Sequence, residues 1–286
     1  MSDVATGGRL AVVGLGPGDP AYLCERAREE LHAADTVIGY RAYTEQVTGF
    51  WPEAPVEPWP IGAEVERATE AVRRARAGER IAVVSSGDAG VYGMAGLVLD
   101  VLYDLGWDGE RDPEVEIVPG ITAALAAAAR LGAPFGVDFA AVSLSDLLVP
   151  WETVERRLTA AADGDLALAI YNPRSAGRPE SLDRALRILR ARRPAATPAA
   201  LVHDACRPGE RLDLTTLGDL DPGAATMTTL VVVGCSTTRR RGRHLVTSRP
   251  YARRTQSFDR APAANDGVGE SPESARGRTD ERRTAP

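Results

Sequence analysis

Three times before residue 124 a short β-branched run gives way to a glycine-bearing bend and then to a stretch of helical character. Residues 10–15 run into Gly14-Leu15-Gly16-Pro17-Gly18-Asp19-Pro20, residues 81–85 into Ser85-Ser86-Gly87-Asp88-Ala89-Gly90-Val91-Tyr92-Gly93, and residues 114–118 into Val118-Pro119-Gly120-Ile121-Thr122-Ala123. A strand that returns to its sheet through a helix joins it parallel, so this repetition predicts an α/β fold with a largely parallel sheet. Ligands of such sheets lie outside the carboxyl ends of the strands, and the three bends would meet there. Apolar spacing predicts helices over 21–34, 65–77 and 92–105, and an alanine-rich helix over 122–131 that Gly132 is placed to stop.

A boundary is expected near residue 120. Beyond it, strands at 138–144, 165–170, 199–203, 211–216 and 229–233 alternate with helices at 151–162 and 179–191. The last two strands follow one another with no helix between them, so this second sheet should be mixed. The expected architecture is therefore two α/β domains, 9–120 and 121–251, with the active-site cleft between them. Residues 252–286, rich in Arg, Asp, Glu, Ser, Pro, Gly and Ala, are expected to be disordered. A length of 286 residues suits two domains at roughly 100–200 residues each.

Composition removes several chemistries. All 34 basic residues are arginine, which excludes a lysine Schiff base, a pyridoxal-phosphate anchor and a Walker-A phosphate loop. Cys24, Cys206 and Cys235 form no C-x-x-C pair, and His32, His203 and His244 have no ligand spacing, so no metal site is expected. The net charge of −6 is spread over interspersed residues, which argues against a nucleic-acid partner or a basic membrane anchor. Apolar runs such as 121–129 fall short of the roughly 20 residues that cross a bilayer. Residues 1–9 lack the basic-then-apolar pattern of a secretory signal, so a cytoplasmic location is expected.

The first bend suggests a dinucleotide site and fails as one. Its spacing is G-x-G-x-G-D rather than G-x-G-x-x-G, and the strand candidate at 35–39 ends without the acidic residue a ribose would need. The set of bends, together with Gly39-Tyr40-Arg41-Ala42-Tyr43, Ser143-Leu144-Ser145-Asp146-Leu147-Leu148, Tyr171-Asn172-Pro173-Arg174-Ser175 and Ser236-Thr237-Thr238-Arg239, resembles the tetrapyrrole methylase family over residues 9–251. The finer resemblance is to the ring-contracting branch of cobalamin synthesis.

That resemblance implies methyl transfer from S-adenosyl-L-methionine to C17 of precorrin-3B or cobalt-factor III, in a homodimer. It implies cofactor contacts at Pro17, Ser86, Gly87, Asp88, Val91, Thr122, Ala123, Asn172 and Ala205. A sulfonium cofactor needs polar groups for its amino-acid end, which the bends and Thr122 supply, and an apolar slot for adenine, which Val91 and Ala205 would line. Asp88 is read as a ligand for ammonium or ribose hydroxyls, its structural alternative being an N-cap for the helix that follows.

A carboxylate-rich macrocycle calls for arginines, and Arg41, Arg174, Arg178 and Arg239 lie in or beside the matching motifs. Ring contraction needs a proton acceptor, for which Asp19, Ser145 and Asp146 are the candidates. The segment Leu201-Val202-His203-Asp204-Ala205-Cys206-Arg207 departs from the branch at His203, Asp204 and Cys206; His203 is read as structural rather than as a proton carrier. Two other readings stay open: another tetrapyrrole methylase, such as a uroporphyrinogen III methyltransferase or the diphthine synthase relative, and a non-catalytic tetrapyrrole or nucleotide carrier.

Overall fold

The run Arg-Leu-Ala-Val-Val-Gly is buried at every position and becomes β1 (Arg9–Gly14), the second-last strand of a sheet whose faces are both covered. In the computed structural model, which describes residues 7–249, this sheet adds β2 (Thr36–Tyr40), β3 (Val56–Trp59), β4 (Arg80–Ser85) and β5 (Glu114–Val118) in the order β3-β2-β4-β1-β5. Every pairing in it is parallel, as the alternation predicts. Successive side chains point to opposite faces, and the core divides accordingly. Leu10, Val12, Ile81 and Val83 pack with α3 (Glu64–Arg76) and α4 (Ala95–Asp104), while Ala11, Val13, Ala82 and Val84 pack with α1 (Glu25–Ala33) and α2 (Arg41–Phe50).

The second sheet contains β7 (Phe139–Ser143), β8 (Ala167–Tyr171), β9 (Pro198–His203), β10 (Arg211–Thr216) and β11 (Thr229–Val233) in the order β10-β9-β11-β8-β7. Only β7 and β8 run parallel; the other pairings are antiparallel, so the sheet is mixed as expected. Leu168, Ile170, Val231 and Val233 face α6 (Trp151–Asp163) and α7 (Ser181–Arg190), whereas Ala169, Val232 and Val202 face α5 (Ala123–Leu131). Gly132 follows α5 at φ +112, where a glycine ends a helix without strain.

A third small sheet joins β6 (Gly132–Ala133) to the hairpin of β12 (Thr238–Arg241) and β13 (His244–Thr247). No local pattern marks it, because Thr-Arg-Arg-Arg reads as polar surface and β6 is two residues long. The expected division at residue 120 falls between β5 and α5, and the described residues pack as one compact unit. The tail expected to be disordered, 252–286, lies outside the described residues.

Two helices begin later than the pattern predicts. The 21–34 segment opens with a 3-10 turn, Pro20–Tyr22, before α1 starts under a cap in which the Cys24 thiol accepts from the Ala27 amide. The 92–105 segment first makes a tight bend with Tyr92 at φ +55, and α4 starts at Ala95.

The end of the sheet away from the bends is fastened by charge. Buried Arg9 donates to both Glu30 oxygens, each at 2.8 Å, and also reaches Glu116, which accepts from Arg26 at 2.8 Å. Hydrogen bonds from Arg26 hold the Glu116 carboxyl below the ordinary carboxylate range. Its stabilising contribution is thus complete above the unfolded Glu value of about 4.3 and is lost as pH falls through the lower folded value. In melts from pH 7 to pH 3, the advantage of wild type over Glu116→Gln should be constant at the upper end and shrink as pH falls below about 4.3; an advantage that acid leaves unchanged refutes this role.

Candidate functional site

Because all strands of the first sheet are parallel, the bends after β1, β4 and β5 emerge at one edge, and there they touch backbone to backbone. Gly16 and Gly87 form a two-residue antiparallel bridge, the Gly87 amide donating to Gly16 O at 2.7 Å and the Gly16 amide to Gly87 O at 3.0 Å. A Cβ on Gly120 would lie 2.1 Å from the Gly87 carbonyl oxygen and 2.8 Å from the Gly14 carbonyl carbon, so these bends meet only because side chains are missing. Asp88 ties them together: one carboxylate oxygen accepts from the Gly90 amide at 2.8 Å and the other from the Gly120 amide at 2.9 Å. The helix-cap alternative for Asp88 is not what the fold uses. Residue Met94 occupies the N-cap of α4, and its amide donates to Ser85 Oγ at 3.1 Å.

The second sheet closes on this edge through Tyr171, the last residue of β8. Its hydroxyl lies 2.7 Å from Thr122 Oγ1 and accepts from the Ala124 amide at 2.9 Å, occupying the first turn of α5. Tyr92 packs edge-on against Tyr171 with ring centroids 5.0 Å apart, and its own hydroxyl donates to Ala141 O at 3.1 Å. Burial raises the pKa of both phenols. From the β9–β10 loop, Arg207 donates to Pro17 O and, at 2.8 Å, to Ser86 Oγ.

The remaining candidates of the second sheet gather beside Tyr171. Asn172 donates to Ser143 Oγ at 2.9 Å, and that oxygen also accepts from the Ser145 amide at 3.2 Å. Arg178 donates to Leu144 O at 3.1 Å and lies 3.9 Å from Asp146. Tyr92, Asn172, Asp204 and Cys206 all adopt left-handed φ values between 45 and 58°, a conformation disfavoured for side-chain-bearing residues that concentrates at functional sites.

The expected residues are thus distributed unevenly. Pro17, Ser86, Gly87, Asp88, Thr122 and Ala123 lie on the joined bends, Val91 stands exposed beside Tyr92, and half-buried Ala205 packs against the α5 face of the second sheet. Asn172, Ser145, Asp146 and Arg174 belong to the adjoining loops, and exposed Arg41 follows β2 at the same edge as the bends. Asp19 instead caps the 3-10 turn, its carboxylate accepting from the Ala21 amide at 2.8 Å. Arg178 is engaged by backbone carbonyls and braces its loop. Arg239 is not brought to this edge: it bonds Ser236 O and Thr238 O, and Ser236 is anchored to Asp165 at the opposite end of β8 from Tyr171.

His203 is structural, as read: it is buried, with Asp213 at 3.1 Å and Thr229 Oγ1 at 2.9 Å. What the sequence did not reveal is the part played by Tyr92, Tyr171 and Arg207. All three lie in quoted segments, but nothing local marks which partner each finds.

These residues suit an adenosyl-sulfonium donor on structural grounds. The glycine bends leave bare backbone for close approach, and the α5 N-terminus, with Thr122 and Ala123 at its mouth, favours a carboxylate. Val91, Ile121 and Leu125 present exposed apolar surface nearby for a flat base.

The model of a family described as Tetrapyrrole (Corrin/Porphyrin) Methylases matches residues 9–221. The chain is 45% identical over 242 residues to a protein of Salmonella typhimurium named probable cobalt-factor III C(17)-methyltransferase, covering 85% of this chain and 99% of that one. It is 40% identical to a precorrin-3B C(17)-methyltransferase of Sinorhizobium sp, over 81% and 91%. Among solved structures, the methyltransferase CobJ superposes with a TM-score of 0.79 at 39% identity, covering 84% of this chain and all of that one. A uroporphyrin-III C-methyltransferase of Thermus thermophilus, complexed with S-adenosylhomocysteine, gives 0.61 at 28% identity, over 79% and 97%.

Proposed function

This chain belongs to the tetrapyrrole (corrin/porphyrin) methylase family, and on that premise we propose that it transfers a methyl group from S-adenosyl-L-methionine to C17 of cobalt-factor III or precorrin-3B, with ring contraction. The observation that carries the reading is the backbone contact of three glycine bends at one sheet edge, bridged to the second sheet by the Thr122–Tyr171 hydrogen bond. When bound, the donor supplies an electrophilic methyl whose leaving thioether is neutral, so the protein's main task is positioning.

In this reading the bends at 14–20 and 86–88 and the N-terminus of α5 hold the donor, and Asn172 faces it from the second sheet. Among the four candidate arginines, the guanidinium groups of Arg41 and Arg174 make no hydrogen bond or ion pair with the described residues and are the two left to clamp substrate carboxylates. Asp146, exposed and paired loosely with Arg178, accepts the proton released on ring contraction. Asp146→Ala should retain donor affinity and slow turnover at least tenfold; unchanged turnover removes it from the chemistry. No helix among the described residues is long and apolar enough to cross a membrane; a homodimer working in the cytoplasm is part of the same proposal.

Incubating the protein with methyl-labelled donor and each macrocycle, then locating the label by NMR, tests the proposal. Label at C17 of a contracted ring supports it. Label at another carbon favours a different methylase of the family, and binding of the macrocycle without mass gain favours a carrier.

A further inference from the structure

Arg207 does something the proposed chemistry does not call for. It leaves the second sheet from a loop held in an unusual shape, with Asp204 and Cys206 both left-handed. That loop is braced from behind: Glu210 accepts from the Cys206 amide at 2.7 Å and pairs with Arg130 of α5 at 2.7 Å. The Arg207 side chain then lies across Gly18, where a Cβ would come within 2.6 Å of its Cγ and Nε. Its guanidinium ends on Pro17 O and Ser86 Oγ, one acceptor on each of two bends. A charged fork with two acceptors on different loops fixes their separation, which a single hydrogen bond would not.

We propose that Arg207 is a positioning residue for the methyl donor, setting the spacing of the 14–20 and 86–88 bends from the second sheet. The inference rests on the reading of those bends as the donor site. It acts through the loops and not by touching the donor, so its loss should weaken the sulfonium donor and the demethylated product, which lacks only the sulfonium charge, alike.

The test is calorimetry on the full chain with S-adenosylmethionine and S-adenosylhomocysteine, comparing wild type with Arg207→Met, which keeps the alkyl stem, and Arg207→Lys, which keeps the charge but reaches one acceptor. Thermal melts run in parallel. The expected result is a loss of at least tenfold for both ligands in Arg207→Met, equal within twofold, with Arg207→Lys intermediate. A lowered melting temperature with unchanged affinity would make Arg207 a structural brace, and unequal losses for the two ligands would mean direct charge contact; either overturns the proposal. Should wild type bind neither ligand, the donor-site reading itself falls. Should wild type bind and Arg207→Met bind as tightly, only the arginine bridge falls.

Discussion

Replacing Gly120 with alanine should remove measurable binding of S-adenosylhomocysteine and lower the melting temperature by about 2–12 °C, from the addition of one methyl group. The added carbon would sit 2.1 Å from the Gly87 carbonyl oxygen and 2.8–2.9 Å from the Gly14 carbonyl group. These neighbours are backbone, so no side chain can rotate away. Gly120 is not among the residues at positive φ, so alanine brings no conformational strain of its own and the effect isolates the collision. Overfilling a packed site costs roughly 1–3 kcal/mol, and each kcal/mol is worth about 2–4 °C in a chain of this size. The relief available is to part the bends, which also pulls the Gly120 amide from Asp88 and spoils the surface on which the donor would lie. Calorimetry and a thermal melt measure both parts, and affinity within threefold of wild type would show that the bends do not form the donor site.

Asp88→Asn should be nearly as damaging as Asp88→Ala. Both carboxylate oxygens accept backbone amides, from Gly90 and from Gly120. An asparagine offers one carbonyl oxygen and turns an NH2 toward the other N–H, replacing an acceptor with a donor. A partly buried amide left without a partner costs about 1–3 kcal/mol, and because the two bonds span two bends the loss falls on their alignment. The expectation is at least tenfold weaker binding of S-adenosylhomocysteine in both variants, within a factor of three of each other. If Asp88→Asn binds like wild type, the two-acceptor bridge is not what orders the bends.

Much of this follows from local sequence. The alternation at 10–15, 81–85 and 114–118 implied parallel strands, and parallel strands oblige their following bends to share an edge. Adjacent strand candidates at 211–216 and 229–233 implied a mixed second sheet. What local sequence left open or concealed has local causes as well. Arg-Arg-Arg conceals an edge hairpin, since a solvent-facing strand needs no apolar alternation. Asp88 precedes a helical pattern as a cap would, but a tight bend intervenes and its carboxylate turns across to Gly120. Arg239 matched a motif by position, yet an antiparallel β11 delivers it to the far end of the sheet from Tyr171.

The amino-acid order alone therefore determined the glycine bends and most strands and helices of the two main sheets, because side-chain period, chain stiffness and tolerance of bare backbone are properties of a few consecutive residues. Tertiary structure alone decided that Thr122 meets Tyr171 across 49 residues, that Asp88 spans to Gly120 across 32, and that Arg207 reaches Ser86 across 121 and Pro17 across 190. Hydrogen-bond donors and acceptors carry no label for a distant partner. They are matched only once buried strands and helices have fixed the register that brings them within about 3 Å.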